Sequence, residues 1–266
     1  MRTVRLHRPE EIFSRRHVPS WLMLSFSSGC VNAIAFMACE RFVTHVTGTV
    51  TQVGVQVAHL DVLLDFAIVV VCFILGAMAA AVMINGRAHR GKRPWYTAPL
   101  LIVAMTTAAV GIAGWSGLFG AFGGIIDEPA DFVLLSALSF ASGLQNAAVA
   151  TSTGLLVRTT HLTGPATDLG MHLVDLVYTR GAERLSARRH AFLRAGKIIS
   201  FAIGAIGGVM LGRGLEYLAF LVPAMIVVVA TALSFDPSRV RDVLVSEPPA
   251  RVPGRRSHED KIRLGA

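Results

Sequence analysis

The stretch His45-Val-Thr-Gly-Thr-Val-Thr-Gln-Val-Gly54 returns, 116 residues later, as His161-Leu-Thr-Gly-Pro-Ala-Thr-Asp-Leu-Gly170. Both copies fit H-x-T-G-x-x-T-x-x-G, and both stand between long apolar runs. Whether these polar phrases cross a membrane or only enter it sets the number of spans. It also sets the direction of one half of the chain relative to the other.

The apolar runs themselves are plain. Hydrophobic residues make up 53% of the 266 residues and charged ones 16%, against ~25% charged in a soluble domain. Trp21–Ala38, Val62–Ile84, Tyr96–Phe119 and Phe132–Ala150 are each long enough for a bilayer core of ~30 Å, which takes roughly 20 helical residues. Two shorter runs follow, Ile198–Gly212 and Leu215–Ser234. The fold class is therefore all-α, a polytopic membrane helix bundle. Cys30, Cys39 and Cys72 are odd in number and two lie in spanning runs, so no disulfide framework is implied.

The net charge of +8 is placed where a membrane orients it. If six helices span, the segments 1–17, 85–94, 178–197 and the tail after Asp236 share one side and hold 22 of the 25 basic residues. Were both motifs to span as well, the basic loop Asn85–Pro94 would lie outside, against that rule. Length agrees: Gly48 to His59 makes only ~18 Å of helix, about half a bilayer. Six spanning helices as two inverted three-helix repeats with short half-membrane helices is the expected architecture, a recurrent one among transporters. Its parts are a basic cytoplasmic arm (1–17), a first membrane repeat (18–120), a second (131–235) and a disordered basic cytoplasmic tail (236–266). The expected site is the bacterial inner (plasma) membrane, with both termini cytoplasmic. Membrane lipid is an expected partner and nucleic acid is not.

Each motif sets a Thr before Gly, suited to capping a short helix. Pro165 fits the first turn, where a missing N–H costs nothing. Beyond the cap His45, Thr49, Gln52, Gln56 and His59 fall on one helical stripe, answered by His161, Pro165, Asp168, His172 and Asp175. Polar side chains inside a membrane face a cavity or the bundle interior. Upstream, Ser28-Gly29 with Asn32-Ala33 answers Ser142-Gly143 with Asn146-Ala147. Asp168 replaces Gln52 and is expected either to couple a proton or to pair with Arg158. Close helix packing is the competing account of the small residues, Gly208-x-x-x-Gly212 included, and self-association stays open. Lys197 and Arg213 are expected to reach the interfaces from the ends of the fifth run, and Pro223 to kink the last.

The phrases Gly29-Cys-Val-Asn-Ala33, His45-Val-Thr-Gly48, Ser142-Gly-Leu-Gln-Asn-Ala147 and Arg158-Thr-Thr-His-Leu-Thr-Gly164 resemble the YoaK-like family of bacterial membrane proteins, a domain of unknown function. The resemblance covers roughly residues 18 to 235 and implies a multi-pass inner-membrane protein, without supplying a substrate or a cofactor.

From the residues, the expected function is transport or permeation of a small polar or anionic solute at the interface of the repeats. His45, Thr47, Gly48, His161, Thr163 and Gly164 would line the site; Asn32, Gln145 and Asn146 would bind polar groups; Asp168 would couple a proton. No enzyme signature is present, and no cofactor or metal site is expected. The alternatives are a haem- or quinone-linked redox protein with His45 and His161 as ligands, and a non-transporting scaffold.

Overall fold

A computed structural model describes residues 6–55, 60–124 and 129–235. The tail 236–266, Gln56 and His59 of the first stripe, and Ile126, Asp127 and Glu128 lie outside the described residues. Among the described residues the secondary structure is helical, with no strand. Five stretches are long and apolar enough to cross a membrane: Val18–Cys39, Phe66–His89, Thr97–Trp115, Ala130–Ser152 and Gly181–Ser234. That pattern marks a multi-pass membrane protein.

In chain order the helices are α1 (Pro9–Ile12), α2 (Val18–Cys39), α3 (Val46–Val55) and α4 (Leu60–Ala81), the last running through a π-helical turn, Val82–Gly86, into α5 (Arg87–His89). Then come α6 (Thr97–Trp115), α7 (Pro129–Ser152), α8 (Thr163–Tyr178), α9 (Gly181–Leu215) and α10 (Leu221–Ser234), with a 3-10 turn, Glu216–Phe220, before α10. α2 ends on Glu40 in the left-handed region (φ 52°), whose N–H donates to the Phe36 carbonyl at 2.8 Å. Gly154 (φ 60°) follows the end of α7. Each left-handed residue turns the chain toward a motif.

Hydrogen bonds and contacts give the helix directions. Ser27 donates to the Pro223 carbonyl at 3.1 Å, and the ring of His17 meets the Ser234 hydroxyl at 3.0 Å, so α10 runs antiparallel to α2. Leu22 lies beside Gly196 and Met37 beside Gly212, so α9 runs parallel to α2. The chain therefore reverses at Glu216 (φ 49°). At one end of the bundle His7, His17, Trp21 and Phe235 cluster, with the His7 and His17 rings 4.4 Å apart, and Thr97 donates to the Phe235 carbonyl at 2.7 Å. At the other end the Tyr217 hydroxyl donates to the Phe119 carbonyl at 3.1 Å, and the Gly123 N–H to Ala38 at 3.2 Å.

Packing is reciprocal between the two halves of the chain. α2 packs on α9 and α7 on α4; α10 packs on α2 and α6 on α7; α6 and α10 pack on each other. Four Phe-x-x-Gly segments mark the closest crossings: Phe26–Gly29, Phe73–Gly76, Phe140–Gly143 and Phe201–Gly204. Gly29 lies against the Phe201 carbonyl and Gly204 against that of Phe26, while Gly143 lies against the Phe73 carbonyl and Gly76 against that of Phe140. A Cβ at any of the four would overlap the facing oxygen. Lipid tails are as apolar as a side chain, so such backbone approach, and not hydrophobic transfer, holds membrane helices together. Gly208 and Gly212 are filled from within the chain, by Cys30 with Ala33 and by Met37 respectively. The hydroxyls of Ser25, Ser28, Thr107, Ser142 and Thr231 bond the carbonyl one turn back, which satisfies them away from water.

Three expectations need correction. The run Ile198–Gly212 is not a short helix of its own: α9 begins at Gly181 and at ~1.5 Å per residue is about 52 Å long. The basic segment before the run is helical because α8 folds back along it and gives it a packing surface. In consequence Lys197 is not at a helix end; it is wholly buried and its Nζ has no hydrogen-bond partner among the described residues, whereas Arg213 is exposed. Pro223 sits in the first turn of α10, and the bend comes before it, at the 3-10 turn.

Gly29→Ala and Gly143→Ala are expected to cost about 3 kcal/mol each by thermal unfolding in detergent, since the backbones must separate. Gly54→Ala and Gly170→Ala, where an added Cβ meets nothing within 4 Å, are expected to be neutral or slightly stabilising. Burial first, then the His17 charge, holds the His7 imidazole down to about 3. A lowered value favours the neutral ring, so the stability it supplies is present above the ordinary imidazole value and is lost as pH falls toward 3. Trp21 fluorescence followed down an acid titration checks this.

Candidate functional site

The two motif loops meet. A cavity of about 470 Å³ is lined from both halves by residues at matching positions: Asn32 with Asn146, Thr44 with Thr160, His45 with His161, Thr47 with Thr163, Val46 with Leu162 and Phe73 with Phe201. Ile74 completes one wall, and Phe42 and Arg158 complete the set.

Each loop is pinned by the asparagine of the preceding helix. Asn32 Oδ1 accepts the Thr44 N–H at 3.2 Å, and Asn146 Oδ1 accepts the N–H groups of Thr159 and Thr160 at 3.1 and 3.4 Å. With Oδ1 so engaged, what each side chain still offers is its N–H2 donor pair. Phe73 and Phe201 come from the glycine crossings, so the contacts that set the helix spacing also place the cavity's aromatic walls.

The spacing H-x-T-G has a local cause. In each copy the histidine folds back over the glycine three residues on: a Cβ on Gly48 would lie 2.8 Å from His45 Nδ1, and one on Gly164 would lie 3.0 Å from His161 Nε2. The Gly164 N–H donates to His161 Nε2 at 3.3 Å, which satisfies one free donor of the first turn of α8. For α8 the cap is thus His161 and not Thr163. Thr47 and Thr163 lie inside α3 and α8, where their carbonyls accept from the hydroxyls of Thr51 (3.0 Å) and Thr167 (3.2 Å). A metal- or haem-ligating role for His161 Nε2 would break this cap.

Of the residues expected at the site, Asn32, His45, Thr47, Asn146, His161 and Thr163 line the cavity, and Gly48 and Gly164 seat the two imidazoles behind its wall. Gln145 does not line it. Its amide donates to the Leu24 carbonyl (3.2 Å) and to the hydroxyls of Ser28 (2.9 Å) and Thr159 (3.3 Å), tying α7 to α2. Asp168 does not line it either. Its carboxylate pairs with Arg194 at 3.1 Å, not with Arg158, and the Arg194 guanidinium also donates to the Leu156 carbonyl at 2.7 Å. The stripe continuing through His172 turns the same way, with the His172 and His190 rings stacked at 5.0 Å. α8 folds antiparallel on α9, which puts its polar face on that helix and leaves Met171, Val174, Val177 and Tyr178 exposed.

That diversion leaves Arg158 facing the cavity with no acid on it, and no carboxylate is among the described lining residues. Phe42 holds the matching position in the first half, stacked on Phe36 at 4.5 Å. Arg158 against Phe42 is therefore the polar asymmetry of the cavity. Of the two expectations for Asp168, the pairing with Arg158 gives way to Arg194, and the aromatics went unread, although Phe-x-x-Gly in four apolar runs was a readable signal.

Burial, followed by the charges of Arg158 and Lys197, holds the His161 imidazole below its ordinary value of 6.5. The lowered value keeps Nε2 an acceptor, so the cap is present above 6.5 and lost as pH falls through the depressed value. The protection of the Gly164 amide, its exchange taken relative to the intrinsic rate at each pH, is expected to fall on acidification. His161→Ala is expected to remove that protection near neutral pH and to leave it unchanged once the imidazole is protonated, at a cost of about 1 kcal/mol to α8 near neutral pH.

The model of the family described as Protein of unknown function (DUF1275) matches residues 20–233, and the chain belongs to that family. The match spans the same region as the motifs that resemble the YoaK-like proteins. No curated protein and no solved structure matches.

Proposed function

Taking the chain as a member of that family, we propose that it is a transporter or permease for a small polar or anionic solute, with anions favoured, in the bacterial inner membrane. It crosses six times, as two inverted three-helix repeats with a motif loop and a short helix, α3 or α8, after the first span of each, and both termini are cytoplasmic. The reciprocal packing of α2–α9 and α7–α4 supports the repeat. The reversal at Glu216, which divides the stretch Gly181–Ser234 into two antiparallel arms, supports the sixth crossing. The basic loop before α6 and the start of α9 lie at the His17 end of the bundle, which positive-inside placement makes cytoplasmic.

The observation that carries the reading is the meeting of two loops from opposite halves on one cavity. In inverted-repeat transporters the site lies at the repeat interface, beside broken helices whose free N–H groups face the solute. Paired amides, hydroxyls and Arg158, with no carboxylate among the described lining residues, suit this cavity to an acceptor-rich solute.

Purified protein in proteoliposomes is expected to carry a carboxylate or inorganic anion faster than a neutral solute of like size. Arg158→Gln is expected to lower that flux at least tenfold, since truncating a charged hydrogen-bonding partner costs about 2 kcal/mol or more. Protein that folds and reconstitutes but moves no solute would sink the proposal and favour the scaffold; a Soret band in the purified protein would favour the redox reading. Reporter fusions after Arg93 and Arg189 are expected to read cytoplasmic.

A further inference from the structure

A second concavity, of about 440 Å³, lies apart from the solute cavity, between the N-terminal arm and α9. Its wall is apolar, made by Phe13, Val18, Pro19, Phe192 and Leu193. Its rim carries three exposed arginines, Arg15, Arg188 and Arg189. Among the described residues no carboxylate pairs with any of the three.

The groove is held in shape from both sides. Phe13 meets the His190 ring edge-on at 4.6 Å, and the Trp21 indole donates to the Ile12 carbonyl at 3.1 Å, so the arm is fastened to α9 and to α2. Its level follows from the parallel register of those helices. Leu22 touches Gly196, so Val18 and Pro19 lie one turn before the contact on α2, and Phe192 and Leu193 one turn before it on α9. Val18 opens a membrane-spanning stretch, and α9 passes there from Arg-rich to apolar sequence. That is the level of lipid headgroups. Above it, Phe192 begins an exposed apolar stripe that continues through Ile199, Ile203, Ile206 and Met210, at one-turn and two-turn spacings along α9.

We propose that this groove binds an anionic phospholipid. The three guanidinium groups hold its phosphate, and one acyl chain lies over Phe192 and along the α9 stripe. Charge selects the headgroup: three unpaired cations on an apolar floor favour a phosphodiester, which accepts guanidinium hydrogen bonds in pairs, in a headgroup that carries no cation of its own to repel them. The stripe selects a lipid over a soluble anion, because a soluble anion has nothing to place on Phe192 and Ile199. This site is independent of solute transport.

The test uses the full chain, purified in mild zwitterionic detergent and offered equal amounts of phosphatidylglycerol and phosphatidylcholine, with retained lipid read by native mass spectrometry. Phosphatidylglycerol is expected to be retained in preference. An arginine near an anionic headgroup is worth about fivefold, so the double variant Arg188→Gln/Arg189→Gln is expected to lower that preference roughly 25-fold. It should leave thermal unfolding in lipid-free detergent unchanged, because both side chains are exposed. Arg180→Gln/Arg184→Gln, at the start of α9 and outside the groove, removes the same charge and is expected to leave the preference intact. Phe192→Ser is expected to weaken retention of both lipids. Equal retention of the two lipids by the unaltered protein, an equal loss in the Arg180/Arg184 control, or displacement of the lipid by millimolar inorganic phosphate would each overturn the assignment.

Discussion

Four glycine-to-carbonyl contacts set the geometry on which the rest of this protein depends. Within a bilayer no hydrophobic gain separates one helix surface from another, so helices that must stay together need contact close enough for backbone packing and C–H···O interactions. Gly29 against Phe201, Gly204 against Phe26, Gly143 against Phe73 and Gly76 against Phe140 provide it. Each crossing joins the first long helix of one half to the third helix of the other. Neither half is therefore complete alone. Two of the four phenylalanines that supply the carbonyls, Phe73 and Phe201, also wall the cavity, so the spacing of the helices and the shape of the site are one constraint.

On that frame the halves repeat one local device. An asparagine in the first helix accepts backbone N–H groups of the loop, and a histidine lies back on a glycine that has no side chain to keep it off. The device presents the same amide and hydroxyl groups to the cavity from both sides. Function enters where the copies differ. Arg158 stands where the first half has Phe42, and Asp168, the nearest acid along the α8 stripe, is held by Arg194 on a neighbouring helix. A cation with no acid on it among the described residues gives the cavity a sign.

Much of this was legible. The six apolar runs, the repeated motif and the matching asparagines follow from residue type and spacing, and six of the expected site residues lie on the cavity wall. What misled were inferences about partners. Thr47 and Thr163 resembled caps, but both lie inside their helices with carbonyls that accept from Thr51 and Thr167, and in the second copy it is His161, two residues earlier, that accepts the free N–H. Gln145 looked like a solute ligand, yet three acceptors from α2 and the Thr159 turn lie within its reach. The polar stripe of α8 was read as cavity-facing because α9 was taken to start at its apolar run. Once α9 extends back to Gly181, that stripe has a polar surface to meet.

By itself the sequence determined that the chain is a membrane helix bundle, that it writes one polar phrase twice, and which small and polar residues surround that phrase. Those properties are local: hydrophobic length, charge placement and helical period are carried by each segment alone. Only the tertiary structure decided which glycine faces which carbonyl, that the two phrases share one cavity, and that Asp168 goes to Arg194 and leaves Arg158 bare. Each of these depends on which of several chemically adequate partners lies within about 3 Å, and residue order does not encode that distance until the helices have crossed.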